Sequence, residues 1–362
     1  MRHEPFASLD ALLAPETLSR LVGSQIVSAR RLPLSGGDSA SGSGFLAIET
    51  NGGQGPRFVV KLSSPACDWI VRATADCRGR EILVWTTGLL DRLPPEITHP
   101  VIGCARDDQG WAILMHDVSD QLIPDPLGGS LITEADHRRY LDALAALHAA
   151  FWEQSEIVDP ALGYCSPLHR YTVFSPATGE REAAHANEKV RWIREGWPSF
   201  LALIAPDVAA LLRRLLADPT PLCTAMAGYP QTVLHGDPRC ANIGITPSPW
   251  PRVVLLDWHF VGPGVPAVDL AWYLASIRSR APVPNESIIS WYRERLAQRL
   301  GSRFEEQWWL PQLELSLLGE VVRRGWVLGW FAAHHPNAAL REWAGQSVGW
   351  WSERATEGAR WL

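Results

Sequence analysis

The hydrophobic pattern of this chain changes period near residue 115, and that change restricts the fold more than composition does. Before it, short apolar runs in "QIVSARRLPL", "GFLAIET", "RFVVKLS", "VIGCARDD" and "GWAILMHDV" alternate with breaks such as "SGGDSASGSG" and "NGGQGP", as strands joined by turns do. One helix is expected among them, around 67–88, carrying Glu81 and stopping near Gly88. Beyond the change, "TEADHRRYLDALAALHAAFWEQ" starts on Thr133, a good N-cap, and sets Tyr140, Leu144, Leu147 and Phe151 on one helical face. Segments such as "EKVRWIREGW" and "DVAALLRRLLA" continue the helical pattern. The expected fold class is α+β and bilobal. Residues 1–115 would form a twisted antiparallel sheet with one helix, 116–121 a hinge, and 122–362 a mostly helical lobe with an insert at about 156–230.

A chain of 362 residues suits two lobes better than one small core. No apolar run reaches the ~20 residues that a bilayer span needs, and "MRHEPFASLDALL" lacks the hydrophobic core of a secretory signal. The six cysteines form no CxxC pair and no zinc spacing, so they read as reduced thiols. A cytoplasmic protein with no membrane partner is expected. The net charge is −6 and no segment concentrates arginine or lysine into a basic patch, which argues against a nucleic-acid partner.

Lysine is nearly absent. Lys61 and Lys189 are the only two among 33 basic residues, the rest being arginine. A chain that prefers arginine has kept a lysine at the end of "RFVVK", where a compact ammonium can do what a planar guanidinium cannot.

The segment "TVLHGDPRCANIGI" places a loop between two strand-like runs, and "RVVLLD" is a third run that ends on a carboxylate. Asn242 stands five residues after Asp237, and Asp257 fifteen after Asn242. A hairpin from Asn242 to Asp257 would bring an amide oxygen and a carboxylate to one mouth, a donor set suited to Mg²⁺. Asp237 would stand apart, free to take a proton from an attacking hydroxyl or to hold it in line.

This set resembles the protein-kinase-like fold, and most closely its aminoglycoside phosphotransferase branch, which is related to choline kinases. "HGDPRCAN" is similar to that family's HGDxxxxN loop, "DWHFVGPGVPAVDLAWYL" to its metal-Asp segment with a following "DLA", and "LAALHA" to the helix upstream of the loop. The resemblance implies that Asp237 is the catalytic base or hydroxyl-orienting group, with Asn242 and Asp257 as metal ligands. It implies Lys61 on the nucleotide phosphates, Glu81 as its ion-pair partner, and Asp269 as a buried brace for the catalytic loop beside a structural His235. Ser41, Gly42 and Ser43 in the glycine- and serine-rich turn, with Met115 and Asp117 where the last strand enters the hinge, would complete the nucleotide site. That turn is not GxGxxG, and a plain flexible turn would read the same way. The implied cofactors are Mg²⁺ and ATP or GTP.

The acceptor is expected to be a hydroxyl of a small molecule, an antibiotic such as an aminoglycoside or macrolide or a hydroxylated metabolite. Against a protein-substrate kinase stand Gly236 in place of the HRD arginine, Trp258-His259 in place of Phe-Gly, and only eleven residues between Asp257 and Asp269. Against a kinase-like nucleotide-binding module without catalysis stands the presence of Lys61, Asp237 and Asp257 together. The insert holds 8 acidic and 7 basic residues, no excess of the carboxylates a polycation would want. Tryptophans 308, 309, 326, 330, 343, 350, 351 and 361 are expected mainly in the helical core, with a bulky apolar or sugar-ring pocket as the sharper alternative.

Overall fold

The structure, a computed structural model, describes residues 3–34, 41–108, 110–123, 132–185, 187–277 and 283–362. Helices α1 (Leu9–Leu13) and α2 (Pro15–Val22) precede strands β1 (Ala29–Pro33), β2 (Gly44–Thr50) and β3 (Phe58–Ser63). Helices α3 (Trp69–Ala73) and α4 (Arg80–Thr86) lead to β4 (Ile97–Thr98), β5 (Val101–Asp107) and β6 (Gly110–His116). Six helices follow: α5 (Glu134–Ala150), α6 (Pro167–Thr172), α7 (Pro176–Arg181), α8 (Glu188–Leu203), α9 (Pro206–Ala217) and α10 (Thr220–Ala227). Strands β7 (Thr232–Leu234), β8 (Ile243–Ile245), β9 (Val253–Leu255) and β10 (Gly262–Gly264) then give way to α11 (Ala267–Ile277), α12 (Asn285–Leu300), α13 (Glu306–His334) and α14 (Ala338–Ala359).

The chain divides into two compact units, Met1–Ile123 with Ala241–His259, and Pro124–Cys240 with Phe260–Leu362. The first is β-rich and the second larger and mostly helical, a bilobal α+β fold. Among the described residues, no helix is long and apolar enough to cross a membrane.

The first unit holds an antiparallel sheet in the order β1-β2-β3-β6-β5. Its apolar face carries Ile48, Phe58, Val60 and Leu114, packed with Leu12 and Leu18 of α1 and α2. A second sheet pairs β4 parallel and β8 antiparallel with β9; β4 is too short to show any alternation in the sequence. The expected helix over 67–88 is two helices. Ala75 at φ 50° and Gly79 at φ 73° turn the chain between them, and Asp76 accepts hydrogen bonds from the N–H groups of Gly79 and Arg80 at 2.8 and 2.9 Å, starting α4. A Cβ at Gly79 would meet the Trp111 ring at 2.9 Å, so the break is set by packing as well as by backbone freedom. The glycine- and serine-rich turn is seen only from Ser41 onward; its residues 35–40 lie outside the described residues.

In the second unit, Thr133 caps α5 by accepting the Asp136 N–H, and Tyr140, Leu144, Leu147 and Phe151 are all buried, as the periodicity predicts. The 29-residue α13 is the central helix of this unit, buried along most of its length against α8, α11 and α14. Trp308, Trp309, Trp326, Trp330 and Trp351 are buried, so most of the tail tryptophans are core. Strands β7 and β10 form a two-stranded antiparallel ribbon.

Candidate active site

In the first unit, Lys61 sits mid-sheet, opposite Phe45 on β2 and Ile113 on β6. Side chains alternate along a strand, so while Phe58 and Val60 enter the apolar core, Lys61 emerges on the other face. There its Nζ lies 2.8 Å from Glu81 Oε2 and 2.6 Å from Asp257 Oδ1. Burial pulls the Lys61 pKa down, but the two carboxylates outweigh it and the net shift is upward, so the ammonium is held charged. Burial pushes Glu81 up to about 7, against the opposing pull of Lys61. Glu81 is an acidic residue that reaches Lys61, while Asp76, five residues before it, starts α4.

Asn242 and Asp257 flank one hairpin. Ile243 pairs with Leu255, and the Leu256 N–H donates to the Asn242 carbonyl at 3.0 Å. The strand in "RVVLLD" stops at Leu255, two residues short of its carboxylate. Asp257 itself turns into the left-handed region at φ 65°, a conformation that costs a non-glycine residue on the order of 1 kcal/mol. Turned so, its Oδ1 meets Lys61 and also His259 Nδ1, 2.5 Å away. His259 is a site neighbour that the sequence reading passed over, although it stands where the motif differs from Phe-Gly. The donor chemistry fits a hard divalent cation: Asn242 and Asp257 offer oxygen, and Asp257 already answers a cation, the Lys61 ammonium.

The hydroxyls of Ser41 and Ser43 donate to Asp68 Oδ2 at 2.6 and 2.5 Å. Asp68 Oδ1 accepts the Ile70 N–H at 2.9 Å and so caps α3. Gly42 lies between the two serines, against the Cys67 carbonyl. Asp68 is a further residue that the sequence reading missed; its only signal was its place before an apolar run, that of an N-cap. Met115 pairs with Val59 and Val101 near the end of β6. Asp117, just beyond, accepts hydrogen bonds from Arg57 Nη2 at 2.5 Å and from the Ser119 hydroxyl at 2.6 Å.

In the second unit the loop after β7 is clamped from two sides. Asp269, fully buried at the start of α11, accepts the His235 N–H at 2.7 Å on Oδ2 and the Gly236 N–H at 2.9 Å on Oδ1. His148 Nε2 lies 3.3 Å from the same Oδ2, and its Nδ1 lies 2.5 Å from the Tyr292 hydroxyl. Burial alone would raise the Asp269 pKa; the hydrogen bond and charge of His148 and the Gly236 N–H hold it below the usual carboxylate range. His148 belongs to "LAALHA", which gives that motif a physical role. From the other side, Arg323 Nη2 donates to the Gly236 carbonyl at 3.0 Å. Gly236 has φ 83°, and a Cβ there would come within 2.4 Å of the Phe260 carbonyl oxygen, so no larger residue fits. The Asp237 N–H donates to His235 Nδ1 at 3.3 Å, and Asp237 Oδ2 lies 3.4 Å from Arg239 Nε. The loop backbone is therefore fixed through the N–H groups of His235 and Gly236 and through the Gly236 carbonyl.

The β-rich first unit and the larger helical second unit make a protein-kinase-like fold. A profile of the phosphotransferase enzyme family matches residues 36–311, and the chain belongs to that family. Among solved structures, an ethanolamine kinase from Plasmodium vivax is similar in fold, with a TM-score of 0.52 at 12% identity, over 90% of this chain and 82% of that one. An aminoglycoside phosphotransferase from Streptomyces rimosus, solved with ADP and streptomycin, matches at 17% identity and a TM-score of 0.46, over 87% of this chain and 99% of that one. A macrolide 2'-phosphotransferase from Brachybacterium faecium matches at 21% identity and a TM-score of 0.42, over 94% and 98%. A search of curated proteins finds no match.

Proposed function

We propose that this phosphotransferase moves the γ-phosphate of ATP or GTP to a hydroxyl of a small molecule. The observation that carries this reading is the Lys61 ammonium, buried at mid-sheet and shared at 2.6–2.8 Å between Glu81 and Asp257. Two carboxylates on one lysine are more than a structural ion pair needs, and desolvating three charges is expensive unless a ligand uses them.

In this reading Lys61 binds the nucleotide phosphates and Glu81 aims it. Asn242 and Asp257 would hold Mg²⁺, which when bound neutralises phosphate charge. Asp257, now bonded to Lys61, would be one of the residues holding that ion, and the Lys61 ammonium would serve the phosphates. Asp237 accepts the proton of the acceptor hydroxyl or orients its oxygen for in-line attack. Asp269, His148 and Arg323 keep the Asp237 backbone in place.

A nucleotide-consumption screen against hydroxylated antibiotics, sugars, amino alcohols and nucleosides tests the proposal. The expected result is acceptor-dependent release of nucleoside diphosphate, lowered roughly 10²–10⁴-fold in Asp237→Ala. Labelling of a peptide mixture with no small acceptor used, or turnover undiminished in Asp237→Ala, would refute it.

A further inference from the structure

The second unit contains a partly open cavity of about 80 Å³ walled by α8, α11, the start of α12, α13 and α14. Its polar groups are Glu320 and Arg324 on α13, Asn285, and Ser347; its flat walls are Trp343 and Trp351. Glu320 is only 4% exposed, and among the described residues its Oε1 has no hydrogen-bond partner, the nearest cation being Arg324 Nε at 3.8 Å. Arg324 Nη1 likewise has none. The next residue toward the Asp237 loop is Arg323, whose guanidinium lies 3.6 Å over the Trp272 ring, with that of Arg324 at 4.5 Å over the same ring. A buried carboxyl and a guanidinium that line a cavity as an ion pair 3.8 Å apart, too far for a hydrogen bond, are groups that a ligand can satisfy.

The charge balance narrows the ligand. Among its lining residues the cavity has one guanidinium, Arg324, and one carboxyl, Glu320. Burial, reinforced by the charge of Asp237, pushes Glu320 up to about 7, despite the opposing pull of Arg324 and Arg323. Near neutral pH the carboxyl is therefore in part a neutral donor, suited to a hydroxyl. A ligand with several ammonium groups would meet the fixed Arg324 cation and at most one carboxylate, Glu320. The aromatic walls suit the apolar face of a ring, and the volume admits one part of it, with the remainder outside.

We propose that this cavity binds the acceptor, and that the acceptor is an uncharged hydroxylated ring compound, a nucleoside or a neutral glycoside, not a polycation. The inference rests on the small-molecule kinase reading and gives it a substrate class. Trp343 and Trp351 stack on the ring, Glu320 hydrogen-bonds one hydroxyl, and Arg324 donates to another ring oxygen.

The test measures two things on the intact chain: calorimetric binding of nucleosides, neutral glycosides and polycationic aminoglycosides without nucleotide, and nucleoside diphosphate release with Mg·ATP or Mg·GTP. Neutral rings are expected to bind and be turned over at millimolar concentration, nucleosides and glycosides forming separate arms, while polycations are not. Trp343→Leu should raise KM for the neutral acceptor roughly 10-fold, with nucleotide affinity unchanged as the control for folding. Arg324→Glu, or Arg324→Gln should the first be unstable, should admit cationic acceptors that the native chain refuses. Turnover of polycations in preference to neutral rings overturns the inference and leaves the kinase reading standing, and so does a KM indifferent to Trp343. Binding of neither class overturns it as well. Binding of neutral rings by a chain that neither binds nor consumes nucleotide supports the cavity assignment and sinks the kinase reading alone.

Discussion

Lys61 and Arg323 are both buried cations, and they are answered in different ways. Lys61 faces two carboxylates at hydrogen-bond distance. Arg323 donates to the Gly236 carbonyl and lies over the rings of Trp272 and Phe260, at 3.6 and 4.6 Å. The first arrangement is rich in anionic oxygen and can exchange one cation for another. The second is a brace whose partners are backbone and aromatic faces, with nothing to exchange. On the proposed function one region serves a charged ligand and the other rigidity, so substitutions should separate them by what they cost.

The largest expected effect is at the brace. Asp269→Ala removes a fully buried carboxylate and strands the N–H groups of His235 and Gly236 and the imidazole of His148; the expected loss is roughly 3–5 kcal/mol in urea unfolding. Asp257→Ala, which leaves Lys61 paired with Glu81, should cost less than about 1 kcal/mol. Equal costs would erase the distinction between the two regions.

A somewhat smaller effect should follow pH. Glu320, facing Arg324 on its own helix and within reach of the Arg323 and Asp237 charges, has its pKa raised by burial to about 7. A carboxyl raised in the fold contributes its stability below the unfolded value and loses it as pH rises through the folded one. The native chain should thus lose stability relative to Glu320→Gln between about pH 4.5 and 7, by on the order of 3 kcal/mol. A difference between the two that stays flat over this range would show that Glu320 is ionised throughout. Smaller again is Gly236→Ala, where φ 83° and the Phe260 carbonyl oppose a Cβ; a cost of roughly 1–3 kcal/mol in thermal or urea unfolding is expected. A neutral result there would mean that the clamp yields.

Much of this was legible beforehand because it depends on period and spacing. Lys61 stood out as one of only two lysines, at the end of the strand-like "RFVVK", and the interval from Asn242 to Asp257 gave the hairpin. Thr133 and its apolar stripe gave α5. What escaped depends on contacts between residues far apart in the chain. The break between α3 and α4 needs the Trp111 ring, which no local window contains. The hydroxyls of Ser41 and Ser43 find Asp68, 25 or more residues away. Arg323 looks like any arginine on an amphipathic helix until Gly236 and Trp272 are seen beside it. Spacing shows which groups a chain repeats in order; it does not show which of them satisfy one another.

The claim at the centre is that the carboxylate beside Lys61 is there for a metal-bound nucleotide. Calorimetric titration of ATP and GTP, with and without Mg²⁺, into the native chain and Asp257→Ala tests it most directly. The account predicts Mg²⁺-dependent binding that weakens at least roughly 10-fold in Asp257→Ala and is retained in Asp237→Ala. An affinity unchanged by the loss of the Asp257 carboxylate would contradict it.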